Sequence, residues 1–592
     1  MLRPNRLVRF DDGRLEAPEV RVEGDELRDM QTGDKAKNAE GFIEETQGHV
    51  PGEPPAMMID VTQPEIPRGE TGARYLLKRT PSNYLLNQAY GLWVFFSLFI
   101  LTLIMTRKVS VAEYGIYAIA SAAFNTIAYI VAFGLEDATT TFVPRVLAEH
   151  GRAAAALLVR RLLALRLAVL VLSLAAILFA LPALAVLIAA IPIPRSAQVA
   201  AGLRNPTLLG HITPIAFWVL GNGIASLLTA VYASQMRMRT VFIVGSVTQL
   251  LLLGLSFLTL QLGWGIDSVL WLQAICSLLN AGAFALWLAP LLFTRGATYK
   301  QPMQPVVRLG LSAWLTNLVS GALLKQVSII LLGYFAVSVV QIAYFNLSFQ
   351  LADAANLLLV SGFGGVAGSA LAAAFIGKNY ERLARSWQTF IKIETLLSGP
   401  VLVFSLFNAQ TIAHTLYGSN YDAVGPLLAI FLLFNMVVRI LGTTIHQSTL
   451  YVIGKPRLVV VGQFAGLIIA TALGILLIPR WGPSGALVAD GISRIATGGL
   501  LLAFLWQDLP EKYPLGFTLR MLLALTIAAL PGIAWHPTGR VMFVASGIVF
   551  LALAAGLLLL IKPLNAKDLE MIGESNKRVV KYLKWFGRDK NR

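Results

Sequence analysis

The sequence predicts an all-α polytopic membrane protein of about 14 transmembrane helices: two parallel six-helix repeats, which form an N-lobe and a C-lobe, and two extra C-terminal helices. Three observations carry this prediction. Of the 592 residues, 56% are hydrophobic and only 14% are charged, a balance that is rare in soluble proteins. Apolar stretches long enough to cross a bilayer recur almost to the end of the chain. Short motifs from the first half of the chain also recur in the second half, at two fixed distances along the sequence.

The chain begins with an acidic segment, residues 1–82, in which 12 Lys and Arg residues stand against 16 Asp and Glu residues. The segment has no apolar periodicity, and several prolines interrupt its second half. These features are typical of a disordered tail. It lacks the apolar run of a signal peptide, and its acidic residues argue against a transit peptide. We predict a disordered tail that stays in the cytosol.

From about Asn83 onward, apolar stretches of the ~20 residues needed to cross ~30 Å of hydrocarbon follow one another. Lipid offers no hydrogen bonds to the backbone, and the stretches do not alternate polar and apolar residues, so they are predicted to be helices rather than strands of a barrel. The fourteen predicted spans are 84–106, 114–134, 163–185, 213–233, 241–261, 268–293, 309–332, 338–362, 389–407, 425–448, 458–479, 484–506, 519–536 and 541–561.

The positive charges indicate the orientation of these helices. The net charge is +16, and the cations gather in alternate loops, which the positive-inside rule assigns to the cytosol. Both termini are therefore predicted to be cytosolic, with the chain in the cytoplasmic (inner) membrane, and nucleic-acid binding is not indicated. The closing segment, residues 563–592, is basic with apolar residues at helical spacing. It fits an amphipathic helix on anionic lipid or a solvated basic tail equally well.

Two offsets reveal an internal repeat. Val109–Val111 matches Val337–Val339 at an offset of 228, and Trp264–Gly265 matches Trp481–Gly482 at an offset of 217. Six predicted helices separate the copies, so both copies have the same orientation in the membrane. The predicted domains are an N-lobe at 83–296, a C-lobe at 297–510 and the two extra helices at 511–562.

Charges within predicted spans need an explanation, because each costs about 2.5 to 3.5 kcal/mol at a helix centre. All those identified lie in the second half: Lys325, Asp353, Arg439, Asp490, Arg494 and, near the inner end of its helix, Glu394. Asp490 and Arg494 are four residues apart and are predicted to form a structural ion pair on one helix face. Lys325 and Asp353 either form a salt bridge between adjacent helices or line a cavity, and the sequence leaves both alternatives open.

Uncharged polar residues extend these positions into stripes that we predict to line a central translocation cavity. The stripes comprise Asn435, Arg439 and His446 in one helix, Asn346, Gln350 and Asp353 in another, and Tyr117, Ser121 and Asn125 in the second helix. There is no nucleotide-binding Gly-x-x-x-x-Gly-Lys-[Ser/Thr] motif and no metal-ligand spacing. We therefore expect a transporter rather than an enzyme, with no catalytic residues, cofactor or metal.

Several motifs resemble a known family. They are Leu85–Gln88, Val111–Ala118, Phe133–Ala138, Ile329–Phe335, Leu416–Gly418 and Trp481–Ala486. Over about residues 83–510 the chain resembles the Wzx-type polysaccharide or oligosaccharide-lipid flippases of the multidrug/oligosaccharidyl-lipid/polysaccharide (MOP) exporter superfamily, which include lipopolysaccharide and O-antigen biosynthesis proteins. The resemblance implies two six-helix lobes around a central cavity.

The resemblance also implies a substrate, an undecaprenyl-pyrophosphate-linked oligosaccharide, flipped by alternating access for surface polysaccharide biosynthesis. Arg439 and Lys325 are then expected to contact the pyrophosphate, and other polysaccharide-assembly proteins are expected partners beside membrane lipids. An ion gradient or the membrane potential is the expected energy source, and the sequence does not identify the coupling ion, H⁺ or Na⁺. A drug or cation antiporter of the same superfamily is the second hypothesis, and a membrane glycosyltransferase or polymerase is the third.

Overall fold

The structure is a computed structural model of the chain, and it describes residues 70–176, 210–296, 299–318, 323–335, 337–360, 363–375, 378–535, 540–565, 568–569 and 585. Nearly all of them are helical. The helices are α1 (Glu70–Lys108), α2 (Val111–Ala132), α3 (Leu135–Ala175), α4 (Ile212–Ser234), α5 (Met238–Gln261), α6 (Gly265–Leu292), α7 (Met303–Asn317), α8 (Leu323–Tyr334), α9 (Val339–Val360), α10 (Phe363–Ala374), α11 (Tyr380–Phe407), α12 (Ala409–Tyr417), α13 (Val424–Leu441), α14 (Thr443–Val452), α15 (Pro456–Trp506), α16 (Leu515–Trp535) and α17 (Arg540–Ile561), with a 3₁₀ turn at Ser419–Tyr421.

The chain is an all-α, multi-pass membrane protein. In the described part, ten helical segments are long and apolar enough to cross a bilayer, one of which joins α13 and α14. They carry eleven of the fourteen predicted spans. Two of these spans lie in α15, which breaks at Gly482 (φ 53°, ψ −130°). The other three, 163–185, 309–332 and 338–362, each include residues outside the description. The count of fourteen therefore stays a prediction.

Several segments that the sequence analysis leaves outside the spans are helical, among them α10. α1 begins at Glu70, inside the predicted tail. α3 begins at Leu135 and turns at Gly151 (φ 80°), so the predicted loop before 163 is helical. α12 lies in the predicted loop 408–424. The first part of α3 escapes a search for apolar runs because one of its faces is polar, with Arg145 and Glu149 paired at 3.0 Å on that exposed face.

The internal repeat has clear structural counterparts. α2 and α9 are both 22 residues long, and each starts and ends 228 residues from the other. Both begin with a serine cap: Ser110 accepts a hydrogen bond from the backbone N–H of Glu113 at 3.2 Å, and Ser338 accepts one from that of Gln341 at 3.3 Å. Glycines with positive φ stand 217 residues apart at Gly265 and Gly482. The same local chemistry therefore sets the same helix boundary in each copy.

Packing divides the described helices into two bundles that α2 and α9 join. α3 to α6 surround one apolar cluster, which also buries Val306 of α7. The second bundle, α8 to α15, packs around α9, α11, α13 and α15. α2 contacts both α8 and α9. α16 and α17 pack on α11 through their own apolar cluster. α7 thus lies on the first bundle although its sequence falls in the predicted C-lobe.

Candidate functional site

The two bundles meet along α2 and α9 at the end of the bundles where α2 begins, called here the Ser110 end. Tyr114 of α2 is fully buried, and its hydroxyl accepts a 3.2 Å hydrogen bond from Nδ2 of Asn346 on α9. Oγ1 of Thr102 on α1 donates to Oε1 of Gln350 at 3.0 Å. We call this contact the seam. Two predicted cavity residues, Asn346 and Gln350, therefore face the other bundle, where their side-chain amides bond the hydroxyl groups of Tyr114 and Thr102.

A close backbone approach explains how tightly the seam is shut. A Cβ atom built on Gly115 would lie 2.6 Å from Cγ1 of Val339, closer than real Cβ contacts. Only glycine at 115 therefore lets α2 approach α9 at this point.

A second contact between α2 and the later part of the chain lies at the opposite end of α2, called here the Phe133 end. The ring of Phe133 stacks on that of Trp314 with 5.2 Å between centroids, and Nε1 of Trp314 donates to the backbone oxygen of Tyr129 at 3.0 Å. A side chain at Gly134 (φ 60°) would clash with the backbone of Gly310, so the two backbones approach closely here. α2 is therefore held at both of its ends.

Five tyrosines cluster at the Ser110 end. The rings of Tyr114 and Tyr421 meet edge to face at 6.5 Å, and Tyr421 also contacts Tyr344 at 6.3 Å and Tyr417 at 6.0 Å. Tyr117 lies 6.1 Å from Tyr114. The sequence analysis identified only Tyr117 of this group. The spacing of residues on one helix does not show which side chains of a distant short helix will face it.

The predicted cavity residues of the second helix do not form hydrogen bonds across the seam in the described structure. Tyr117 is buried, and its hydroxyl accepts a hydrogen bond from Nε2 of Gln273 on α6 at 3.3 Å. Asn125 is half-buried and donates to the backbone oxygen of Ser121 on its own helix at 2.8 Å. Tyr117 thus faces its own bundle, while Ser121 and Asn125 bond each other along α2.

The predicted pair of Asp490 and Arg494 is present, with Nε of Arg494 2.7 Å from Oδ2 of Asp490. The guanidinium also lies over the rings of Phe349 and Phe431, at 5.8 and 5.9 Å. It interacts electrostatically with Asp353, which is half-buried on α9. Asp490 is buried and its Oδ1 has no hydrogen-bond partner among the described residues, whereas 36% of the Arg494 side chain is exposed.

Arg439 is placed differently from the prediction. Its Nη1 donates to Oε1 of Glu394 on α11 at 2.8 Å, and only 19% of its side chain is exposed. Gly442 (φ 77°) ends α13 three residues later, so Arg439 and His446 lie on different helices. The continuous stripe predicted along this helix is wrong, because the glycine breaks the helical spacing on which it depended.

The two companions of Arg439 in that predicted stripe are core residues. His446 is completely buried, and its Nδ1 accepts a hydrogen bond from Nε1 of Trp387 at 3.0 Å. Asn435 is 9% exposed and its Nδ2 has no partner in the described part of the chain. Lys325 lies on α8, but its side chain is outside the described residues, so its pairing with Asp353 stays a prediction.

A buried charge in the first bundle was missed, and the expectation that such charges lie only in the second half is wrong. Arg166 of α3 is 2% exposed and pairs with Glu136 at 2.9 Å. It also donates to the backbone oxygens of Gly223, Val131 and Ala132 at 2.9, 2.7 and 2.9 Å. Arg166 precedes Glu394 by 228 residues, so each bundle holds a paired charge at the same place in the repeat.

A second unpredicted ion pair ties the closing segment to the second bundle. Lys392 of α11 and Asp568 are both 5% exposed, with Nζ 2.8 Å from Oδ2. Oγ1 of Thr389 and the backbone N–H of Asn565 also donate to this carboxylate, at 3.0 and 2.8 Å. The start of the predicted basic tail at 563 is therefore packed against α11.

Comparison with known proteins identifies the architecture. One match, to the structure titled "Lipid II flippase MurJ, inward closed conformation", covers 80% of this chain and 98% of that one, with 14% identity and a TM-score of 0.58. A second match is an inward-facing conformation of a multidrug resistance MATE family transporter of the MOP superfamily, with 17% identity and a TM-score of 0.54 over 70% of this chain and 93% of that one. The chain has the fold of the MOP superfamily.

The sequence itself supports the polysaccharide branch of that resemblance. Residues 172–426 match the family described as polysaccharide biosynthesis protein. Among the curated proteins, none matches the sequence. The similarity to MOP-type polysaccharide flippases that the motifs indicate is thus confirmed, and the chain is a multi-pass membrane protein with the fold of flippases and transporters.

Proposed function

We propose that this protein flips a lipid-linked oligosaccharide across the cytoplasmic membrane by alternating access, for the synthesis of a surface polysaccharide. The observation that carries the proposal is the chemistry of the seam. The groups at its centre are the neutral hydroxyls, amides and aromatic rings of Thr102, Tyr114, Asn346, Gln350 and Tyr421. At its rim the charged Arg107 of α1 donates to the backbone oxygens of Thr415 and Leu416 on α12. The central groups bind sugar hydroxyls and rings without needing a charged ligand. The match to a polysaccharide biosynthesis family supports the same substrate class.

Opening of the seam must break its side-chain hydrogen bonds, which contribute about 1 kcal/mol each, and must part an apolar cluster that α2 and α9 share, with Ala118 and Phe345 among its buried members. α2 contacts later helices at both of its ends. Parting of the seam would open the space between the bundles at the Ser110 end, and alternating access requires the bundles to close at the Phe133 end in that state.

The topology follows from the charges. With both termini in the cytosol, the Ser110 end faces outward and the Phe133 end faces the cytosol, since the cation-rich loops then lie inside. The glycan head would enter at the Phe133 end and leave at the Ser110 end, while its lipid tail stays in the bilayer. An undecaprenyl-pyrophosphate carrier is the lipid that the Wzx-type resemblance implies.

Asp490 is the candidate for coupling to an ion gradient. Its Oδ2 is paired with Arg494, but its Oδ1 is buried with no hydrogen-bond partner among the described residues. A buried carboxylate oxygen in that position suits a proton or Na⁺. Arg439 loses its assignment to the pyrophosphate in this proposal, because the buried carboxylate of Glu394 already neutralises it.

The test is transport by the full chain in proteoliposomes. In a Cys276→Ser background, Thr102→Cys with Gln350→Cys places two thiols across the seam, and a short bifunctional thiol reagent joins them. We expect flipping of a fluorescent undecaprenyl-pyrophosphate-linked oligosaccharide to stop and to return when the link is cleaved. Lys455→Cys with Asp508→Cys is the matched control, because those side chains meet at 2.7 Å within the second bundle.

The same vesicles separate this proposal from the antiporter hypothesis. They are also loaded with ethidium, a cationic drug, and its movement is followed under a proton or Na⁺ gradient. Movement of ethidium without movement of the glycolipid would contradict the proposal and favour the antiporter. Continued glycolipid flipping with the Thr102–Gln350 link in place would contradict alternating access through the seam.

A further inference from the structure

Two buried hydroxyl groups at the Ser110 end have no use in the closed seam. Tyr417 of α12 and Tyr421 of the 3₁₀ turn are 2% and 1% exposed. Neither hydroxyl has a hydrogen-bond partner among the described residues. A buried hydroxyl without a partner destabilises the state that buries it. Phenylalanine would fill the same space at less cost, so the closed state does not explain why these rings carry hydroxyls.

The hydroxyls remain neutral donors and acceptors. Burial raises the pKa of Tyr421 to about 12 and raises that of Tyr417 above its ordinary value. Both groups are therefore protonated at physiological pH. A neutral hydroxyl beside an aromatic face can bind an uncharged polyhydroxy ligand through hydrogen bonds and ring contact.

Opening of the seam would uncover one face of this group while leaving the group itself assembled. Tyr114, which covers Tyr421 edge to face, belongs to α2. Tyr344, Tyr417 and Tyr421 all belong to the second bundle, and the Tyr344 hydroxyl donates to the backbone oxygen of Asn420 at 3.3 Å. When α2 withdraws, these three rings stay together with two free hydroxyls.

We propose that Tyr417 and Tyr421 form an exit subsite that binds a pyranose ring of the glycan when the Ser110 end is open. The inference rests on the proposed function and adds to it a place where the sugar is held on its way out. The ring of Tyr421, uncovered by Tyr114, packs against the C–H face of the sugar. The two hydroxyls exchange hydrogen bonds with sugar hydroxyls, which supply the partners they lack in the closed state.

The test measures sugar binding with the gate held open. In the Cys276→Ser background, Gly115→Ala is used to open the Ser110 end, since its added methyl group would lie 2.6 Å from Cγ1 of Val339 and so drives α2 away from α9. The probe is the soluble oligosaccharide released by mild acid from the lipid carrier of the cells that make the protein. Its affinity is measured by thermophoresis on the full chain in detergent.

We expect Tyr417→Phe with Tyr421→Phe to weaken binding of this probe about thirtyfold, the effect of losing two hydrogen bonds of about 1 kcal/mol each. Linking Thr102→Cys to Gln350→Cys, which shuts the Ser110 end, should abolish binding. Equal affinity with and without the two hydroxyls would overturn the subsite, and so would absence of binding in the open form. Glycolipid flipping by the wild type is scored separately, so failure of the subsite is distinguishable from failure of the proposed function.

Folding is controlled by a matched tyrosine. The two Phe substitutions should not lower the melting temperature, because no hydrogen bond is lost. Tyr232→Phe removes a hydroxyl that donates to the backbone oxygen of Phe284 at 2.9 Å, away from the seam. It should lower the melting temperature and leave the affinity for the oligosaccharide unchanged. A weakened affinity in Tyr232→Phe equal to that of the double variant would also overturn the subsite.

Discussion

Nη1 of Arg439 donates a 2.8 Å hydrogen bond to Oε1 of Glu394, and this ion pair joins α13 to α11. Only 1% of the Glu394 side chain is exposed, against 19% for Arg439. The arginine therefore serves as the partner of a buried carboxylate, and its removal would leave that carboxylate in an apolar surrounding.

Arg439→Ala is expected to lower stability by about 3 to 5 kcal/mol, since removing one partner of a buried pair leaves an uncompensated charge. Adding Glu394→Gln should recover most of this loss, because the remaining side chain is neutral. The melting temperature of the purified protein in detergent measures both effects. If Arg439→Ala alone melts as the wild type does but transports no glycolipid, Arg439 acts in substrate binding instead.

Arg166→Ala is expected to be more damaging to the first bundle than any exposed arginine. The substitution leaves Glu136 without its cation, and three backbone oxygens lose a donor. The free energy of unfolding should fall by about 3 to 5 kcal/mol. The yield of monodisperse protein and its melting temperature should both fall as a result. Arg145→Ala is the control, as 68% of that side chain is exposed and its pair with Glu149 is worth under about 1 kcal/mol. Equal melting of the two variants would contradict the assignment.

Local sequence chemistry predicts much of this fold. The apolar runs locate most helices, and the matched caps at Ser110 and Ser338 set the boundaries of α2 and α9. The pair of Asp490 and Arg494 follows from one helical turn of spacing. Each of these features depends on residues close together in the chain.

Features that depend on tertiary structure were not predictable in the same way. Gly442 interrupts the predicted span 425–448, whose mean hydropathy is high enough for a single helix, so the break changes the partner of Arg439 without changing the hydropathy pattern. Arg166 takes three of its acceptors from backbone oxygens, which no side-chain motif records. Lys392 and Asp568 meet across 176 residues of sequence, a separation that no local pattern reports.

Gly115→Ala is expected to open the Ser110 end. The added methyl group would lie 2.6 Å from Cγ1 of Val339, so α2 must move away from α9. A thiol at position 102, which is 2% exposed as threonine, then reports the change. In a Cys276→Ser, Thr102→Cys background, its labelling by a water-soluble maleimide should rise several-fold. Gly254→Ala is the control, because nothing lies within 4 Å of its added Cβ. Unchanged labelling in Gly115→Ala would mean that the seam does not depend on this approach.

Asp568→Asn is expected to detach the closing segment from α11. Lys392 would keep its charge in a site where it is 5% exposed, without the carboxylate that accepts from its Nζ at 2.8 and 3.0 Å. Stability should fall by about 3 to 5 kcal/mol, and a protease should cut the segment after residue 562 more readily. Lys392→Met combined with Asp568→Asn should restore the melting temperature, since no buried charge remains. Asp508→Asn disturbs a comparable but more exposed pair, in which 43% of the Lys455 side chain is accessible, and should cost under about 1 kcal/mol. If Asp568→Asn melts and resists proteolysis as the wild type does, the closing segment is held by its apolar contacts, chiefly the buried Leu564, and the ion pair adds nothing to its attachment.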